Sequence, residues 1–104
     1  MFCNITTTTD KKEVINKISK HLLEKKYSPC IQITESIESK YIWDGKIKST
    51  KEYKLDIKTL ETLSNEIIRL IKSIHNYKVP EIIKHSITIE NKEYEEWAIN
   101  NIKK

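Results

Sequence analysis

A chain of 104 residues with 38% hydrophobic and 33% charged side chains suits one domain with a modest core, and no apolar run is long enough to span a membrane. The net charge of +4 does not mark a nucleic-acid binder, because Arg69 is the sole arginine among 19 basic residues and phosphate recognition usually enlists the bidentate guanidinium. The lysines are scattered and interleaved with acids, so we read them as a solvated surface.

Met1-Phe2-Cys3-Asn4 shows neither a basic nor an apolar leader region, which predicts a cytoplasmic chain. Cys3 and Cys30 then read as free thiols, and the Asn4-Ile5-Thr6 sequon as idle. Phe2 to Thr8 predicts a first strand. Asp10 and Glu13 match a capping box for a helix with Val14, Ile15, Ile18, Leu22 and Leu23 on its apolar side. Lys25 and Lys26 suit its C-terminus, and Pro29 is expected to stop it.

Cys30 to Lys58 reads as one long β-hairpin turning at Asp44-Gly45. Gly45 is the only glycine in the chain. A type I′ turn needs φ > 0 at both central positions, which glycine adopts without penalty and Asp tolerates. Ile31, Ile33, Ile37, Tyr41 and Trp43 are evenly spaced and share a face in the absence of a bulge. Tyr53, Leu55 and Ile57 alternate with Lys54, Asp56 and Lys58 on the second arm. Both arms exceed the usual strand length of about 5–6 residues. A hairpin this long overhangs a small domain, and its unpaired backbone groups need covering, so a homo-oligomer is expected.

Thr59 is placed to cap a second helix carrying Leu60, Leu63, Ile67, Leu70, Ile71 and Ile74, ending by His75-Asn76-Tyr77. Pro80 opens a last strand in which Ile83, His85, Ile87 and Ile89 alternate. His85 is expected to be satisfied among isoleucines. Asn91 caps a terminal helix with Tyr94, Trp97, Ala98 and Ile102 on its apolar side, closed by Lys103 and Lys104. The order β-α-β-β-α-β-α predicts an α+β, ferredoxin-like βαββαβ sandwich with a long hairpin and a C-terminal helix, in a single domain over residues 1–104.

One glycine excludes a phosphate-binding glycine loop and a dinucleotide fingerprint. There is no nucleophile elbow, HExxH or CxxC, and no pair of carboxylates assignable to acid–base work. Cys30 reads as a small buried hydrophobe before a metal or redox thiol. Tyr41, Trp43, Tyr94 and Trp97 read as packing before a ligand box. No enzyme is expected.

Five segments together carry a resemblance: Cys30; Tyr41-Ile42-Trp43-Asp44-Gly45-Lys46-Ile47; Lys58-Thr59; His75-Asn76-Tyr77-Lys78-Val79-Pro80-Glu81-Ile82-Ile83; and Tyr94-Glu95-Glu96-Trp97. In this order and spacing, over essentially the whole chain, the sequence resembles the CutA family of divalent-cation tolerance proteins. The resemblance implies a ferredoxin-like fold and a tight, PII-like homotrimer with hairpins reaching between subunits. It also implies a link to tolerance of copper and other divalent cations and no catalysis; some animal relatives are linked instead to anchoring or processing of a cholinesterase. The family's copper site uses a Cys and two adjacent His, whose matching positions here are Thr7, Ile74 and His75, so His75 alone is kept. Asn76 replaces the usual Pro and Lys78 the usual acid. The resemblance thus implies weak binding of Cu²⁺ or another divalent cation through His75, with Cys30. The alternative is a PII-like signalling or scaffold trimer. In it, an inter-subunit cleft of Tyr41, Trp43, Lys46, Lys58, Glu81, Tyr94 and Trp97 takes a small anion or a protein partner.

Overall fold

The computed structural model describes residues 1–103. Its elements are β1 (Phe2–Thr9), α1 (Lys12–Glu24), β2 (Cys30–Trp43), β3 (Lys46–Leu60), a 3₁₀ turn (Glu61–Leu63), α2 (Ser64–Ile74), β4 (Ile82–Ile87) and α3 (Lys92–Asn100). The four strands form one sheet in the order β2-β3-β1-β4, and every neighbouring pair is antiparallel.

The register decides which side chains enter the core. Cys3, Ile5 and Thr7 of β1 lie opposite Thr59, Ile57 and Leu55 of β3, and all six are fully buried. They form one sheet face, and α1 and α2 cover it. Val14, Ile15, Ile18 and Leu22 of α1 join Ile67 and Ile71 of α2 in the same apolar cluster, with Leu63 before them and Ile102 after α3. Burying such side chains contributes roughly 1.5–3 kcal/mol each. Leu23, expected beside the α1 stripe, is 46% exposed.

Two caps differ from expectation because partners distant in sequence take the capping side chains. Asp10 and Glu13 make no capping box: Lys11 occupies the N-cap without a side-chain bond, and its N–H donates to Thr9 Oγ1. The Asp10 carboxylate instead accepts from Asn76 Nδ2 at 2.9 Å. Thr59 is not a helix cap; it stays in β3 and its hydroxyl donates to the Tyr27 carbonyl at 2.6 Å. Pro29 does not stop α1 either. Lys26 takes φ +58°, its N–H meets the Leu23 carbonyl, and the Tyr27 N–H meets the Leu22 carbonyl. This left-handed stop usually uses glycine. Asn91 does cap α3, accepting from the N–H groups of Glu93 and Tyr94. Lys103 is folded back: its N–H donates to the Lys26 carbonyl and its ammonium lies 5.2 Å from the Tyr27 ring centre. Lys104, expected beside it, lies outside the described residues. Pro80 precedes β4 by two residues, and His85 is exposed, because positions 83, 85 and 87 face away from the helices.

The hairpin turns at Asp44 (φ +52°) and Gly45 (φ +72°), and Cys30 pairs with Lys58 at its base. Its first arm is not regular. Between Thr34 and Ile37 the register shifts by one residue, with Ser36 at φ +61°. A bulge of this kind turns every later side chain to the opposite face. Ile31 and Ile33 lie opposite Ile57 and Leu55 on the helix side, whereas Ile37, Ser39, Tyr41 and Trp43 lie opposite Glu52, Thr50, Lys48 and Lys46 on the other. The expectation of one shared face is corrected accordingly. β1 pairs with β3 no further than Tyr53, so the pairs from Ile37–Glu52 to Trp43–Lys46 overhang the sheet. Seven pairs reach about 20 Å at the usual rise per residue. The radius of gyration, 14.5 Å, accordingly exceeds the ~13 Å of a compact chain this long.

Candidate functional site

The root of the overhanging hairpin and the 75–81 segment enclose an open cleft of about 950 Å³. The bulge makes it, because it turns Ser39, Tyr41 and Trp43 toward that segment. The facing wall is Asn76, Tyr77, Val79 and Pro80, and charged groups at the rim are Lys40, Lys48, Lys78 and Glu81.

The 75–81 segment has no regular structure, yet side chains pin it to the end of β1. The His75 Nδ1 accepts the Tyr77 N–H at 3.0 Å, so its proton lies on Nε2, which meets the Thr8 carbonyl at 2.9 Å. Burial holds the His75 pKa below its ordinary value, against the smaller pulls of the Thr8 bond, Glu52 and Asp10. Asn76 bridges two residues of the β1 end: Thr9 Oγ1 donates to its Oδ1 at 2.5 Å, and its Nδ2 donates to Asp10. Deeper in, Glu52 is 7% exposed; its carboxylate accepts from Ser39 Oγ and Tyr77 Oη, both at 2.6 Å. Burial, then the Glu52 carboxylate, pushes the Tyr77 phenol pKa well up. The sequence reading missed Ser39, Glu52 and Tyr77. The alternation that turns Glu52 away from Tyr53, Leu55 and Ile57 is the sequence signal for Glu52, and Tyr77 lies within the 75–83 segment that carries the resemblance.

Within one chain the expected cleft residues fall into two groups. Tyr41, Trp43 and Glu81 line the cleft. Lys46 closes the turn opposite Trp43. Lys58 lies back in the sheet, opposite Cys30, with its ammonium on Gln32 Oε1 at 2.6 Å. Tyr94 and Trp97 stack on α3 with ring centres 5.4 Å apart. The Cys30 side chain beside the Tyr94 hydroxyl, and then burial, raise the Tyr94 pKa.

His75 and Cys30 are not brought together. His75 meets β1 at Thr8, whereas Cys30 lies at the level of Lys58 and hence Asn4, four β1 residues away. The positions aligned with the copper ligands do not fit a copper ion either. Thr7 Oγ1 is wholly buried and has no hydrogen-bond partner. Ile74 offers no donor atom, and both His75 nitrogens are engaged. Among the described residues, no three His, Cys, Asp or Glu side chains cluster as a metal site. Cys3 is buried, and burial followed by the charge of Glu61 pushes its thiol pKa up to about 11.

Fold and site define a class: small α+β proteins whose second and third strands extend past the sheet to frame a cleft with the segment before the last strand. The pattern of the family described as CutA1 divalent ion tolerance protein matches residues 3–101. The chain belongs to that family. It is 35% identical over 100 residues to the divalent-cation tolerance protein CutA of Pyrococcus horikoshii, covering 96% of this chain and 97% of that one. It is 34% identical over 97 residues to the chloroplastic CutA 1 of rice, covering 93% of this chain and 55% of the rice protein. The chain thus spans about half the length of the plant relatives it matches. The solved divalent cation tolerance protein of Thermus thermophilus superposes with a TM-score of 0.92 at 30% identity, over 99% of this chain and all of that one.

Proposed function

We propose that the chain works as a cytoplasmic, ferredoxin-like and PII-like homotrimer in the response to divalent cations, copper among them, without catalysis. The observation that carries the reading is the hairpin. Ile42 and Ile47 at its tip are 75% and 85% exposed, and Trp43 is 52% exposed. Large apolar side chains on an unsupported two-stranded ribbon favour coverage by another chain. Second copies of the same chain supply that cover with closed symmetry. Strand order β2-β3-β1-β4 with both main helices on one face supports the ferredoxin-like part.

For the ion itself the donors allow weak binding only. His75 Nε2 must leave the Thr8 carbonyl before it meets a metal, and Cys30 joins it only from another copy. Calorimetric titration with Cu²⁺ tests this: the expectation is weak affinity that falls further in His75→Ala. Submicromolar binding unchanged in that variant would remove His75 from the reading.

The second reading, a cleft for a small anion or a protein partner, draws on Lys40, Lys48 and Lys78 around Tyr41 and Trp43. Lys46, Lys58, Tyr94 and Trp97 would join only across subunits. A trimer structure with no opening between those side chains would count against it.

A further inference from the structure

The geometry points to a latch at the root of the hairpin: Glu52, braced by Ser39 within the arm and bonded by Tyr77 of the 75–81 segment, fixes the direction of the overhanging arm. This rests on the reading of the arm as the assembly element and adds how the arm is controlled.

The arm leaves the sheet at the Glu35–Ser36 bulge, just beyond the last β1–β3 pair, Thr9–Tyr53. A two-stranded ribbon rooted at a bulge has little of its own to stop it swinging. Glu52 sits at that root as the first β3 residue of the overhang. Its two oxygens are held from different directions, one by Ser39 of the arm and one by Tyr77 of the 75–81 segment. Tyr77 cannot drift freely, because its N–H is bonded to His75, whose ring is bonded to Thr8. The arm is thereby tied through one buried carboxylate to the end of β1. A further contact, Lys12 to Glu35 at 2.8 Å, has both side chains about half exposed and contributes little. A buried carboxylate stripped of a donor is costly, so the tie is strong for one side chain. An arm held in one direction reduces the ordering cost of association. Tyr77 and Glu52 also line the cleft, so an occupant of the cleft meets the latch directly.

The test is amide hydrogen exchange, read by NMR, in Tyr77→Phe, which keeps the ring and deletes the hydroxyl. The expected result is about tenfold faster exchange for the arm amides from Ile37 to Glu52, as loss of a hydrogen bond to a charged group implies, with Ile5 and Ile57 in the core unchanged. Wild-type exchange rates in the arm, or equal acceleration in arm and core, would overturn the latch. Glu52→Gln keeps the size of the side chain and removes the charge that Tyr77 bonds, and it gives the same readout should Tyr77→Phe fail to fold. Light scattering on the wild type reads assembly separately. A monomer would sink the assembly reading, and the exchange comparison would still decide the latch.

Discussion

Replacing Thr7 by Val should make the protein more stable. Thr7 is fully buried on the helix-facing side of β1, between Leu55 and Ile82 in neighbouring strands, and its hydroxyl has no partner. An unpaired buried hydroxyl costs about 1–3 kcal/mol in mutational data. Val keeps the branched shape and the strand preference while exchanging that hydroxyl for a methyl. Taking the low end gives about 1 kcal/mol of added stability, or ~4–8 °C in Tm for a domain of this size. Thr7→Ser is the matched control. It keeps the orphan hydroxyl and loses a buried methyl, so it should be destabilised by about 1 kcal/mol. Thermal melts followed by circular dichroism, at one fixed protein concentration, decide the matter, since assembly couples Tm to concentration. A Tm for Thr7→Val equal to or below wild type would refute the reasoning and show that the hydroxyl is bonded.

Gly45→Ala should cost about 1 kcal/mol, read as a shift in urea midpoint. Nothing lies within 4 Å of the added Cβ, so the cost is that of φ +72° alone; a loss of several kcal/mol would place a steric contact there. In native protein at pH 7.5, iodoacetamide should leave Cys3 unmodified, because the thiol is buried with a pKa near 11; a Cys3 adduct before unfolding, seen by mass spectrometry, would contradict its placement. An NMR titration should find His75 below the ordinary histidine value of about 6.5. With a folded pKa below the unfolded one, its contribution to stability is present above ~6.5 and is lost as pH falls through the folded value. A His75 pKa at or above 6.5 would contradict the neutral ring bonded to Tyr77 and Thr8.

The turn was the most legible part of the fold, because one Asp-Gly pair in a chain with one glycine admits few conformations. The apolar stripes of α1 and α2 were legible for a similar reason: period and burial agree. The bulge was not, since Ser36 adopts a left-handed conformation that serine does not announce, and the face reversal of Tyr41 and Trp43 followed from it. Caps failed where side chains distant in sequence compete. Asp10 is taken by Asn76 and Thr59 by Tyr27, across separations no local pattern records. The bond between Glu52 and Tyr77 at the cleft stayed hidden for the same reason. Tyr77 and Glu52 are 25 residues apart and meet only once the hairpin has bent. Tyr94 and Trp97 were expected to meet Trp43 across subunits, and within one chain they lie on a separate element from it.

The central claim is that the overhanging hairpin makes this chain a unit of a trimer. Multi-angle light scattering on a size-exclusion column, from micromolar to nanomolar protein, tests it most directly. The account predicts a single species at three times 12.3 kDa that persists on dilution. A species at 12.3 kDa at micromolar concentration would contradict it, leaving Ile42, Trp43 and Ile47 exposed without a second copy to cover them.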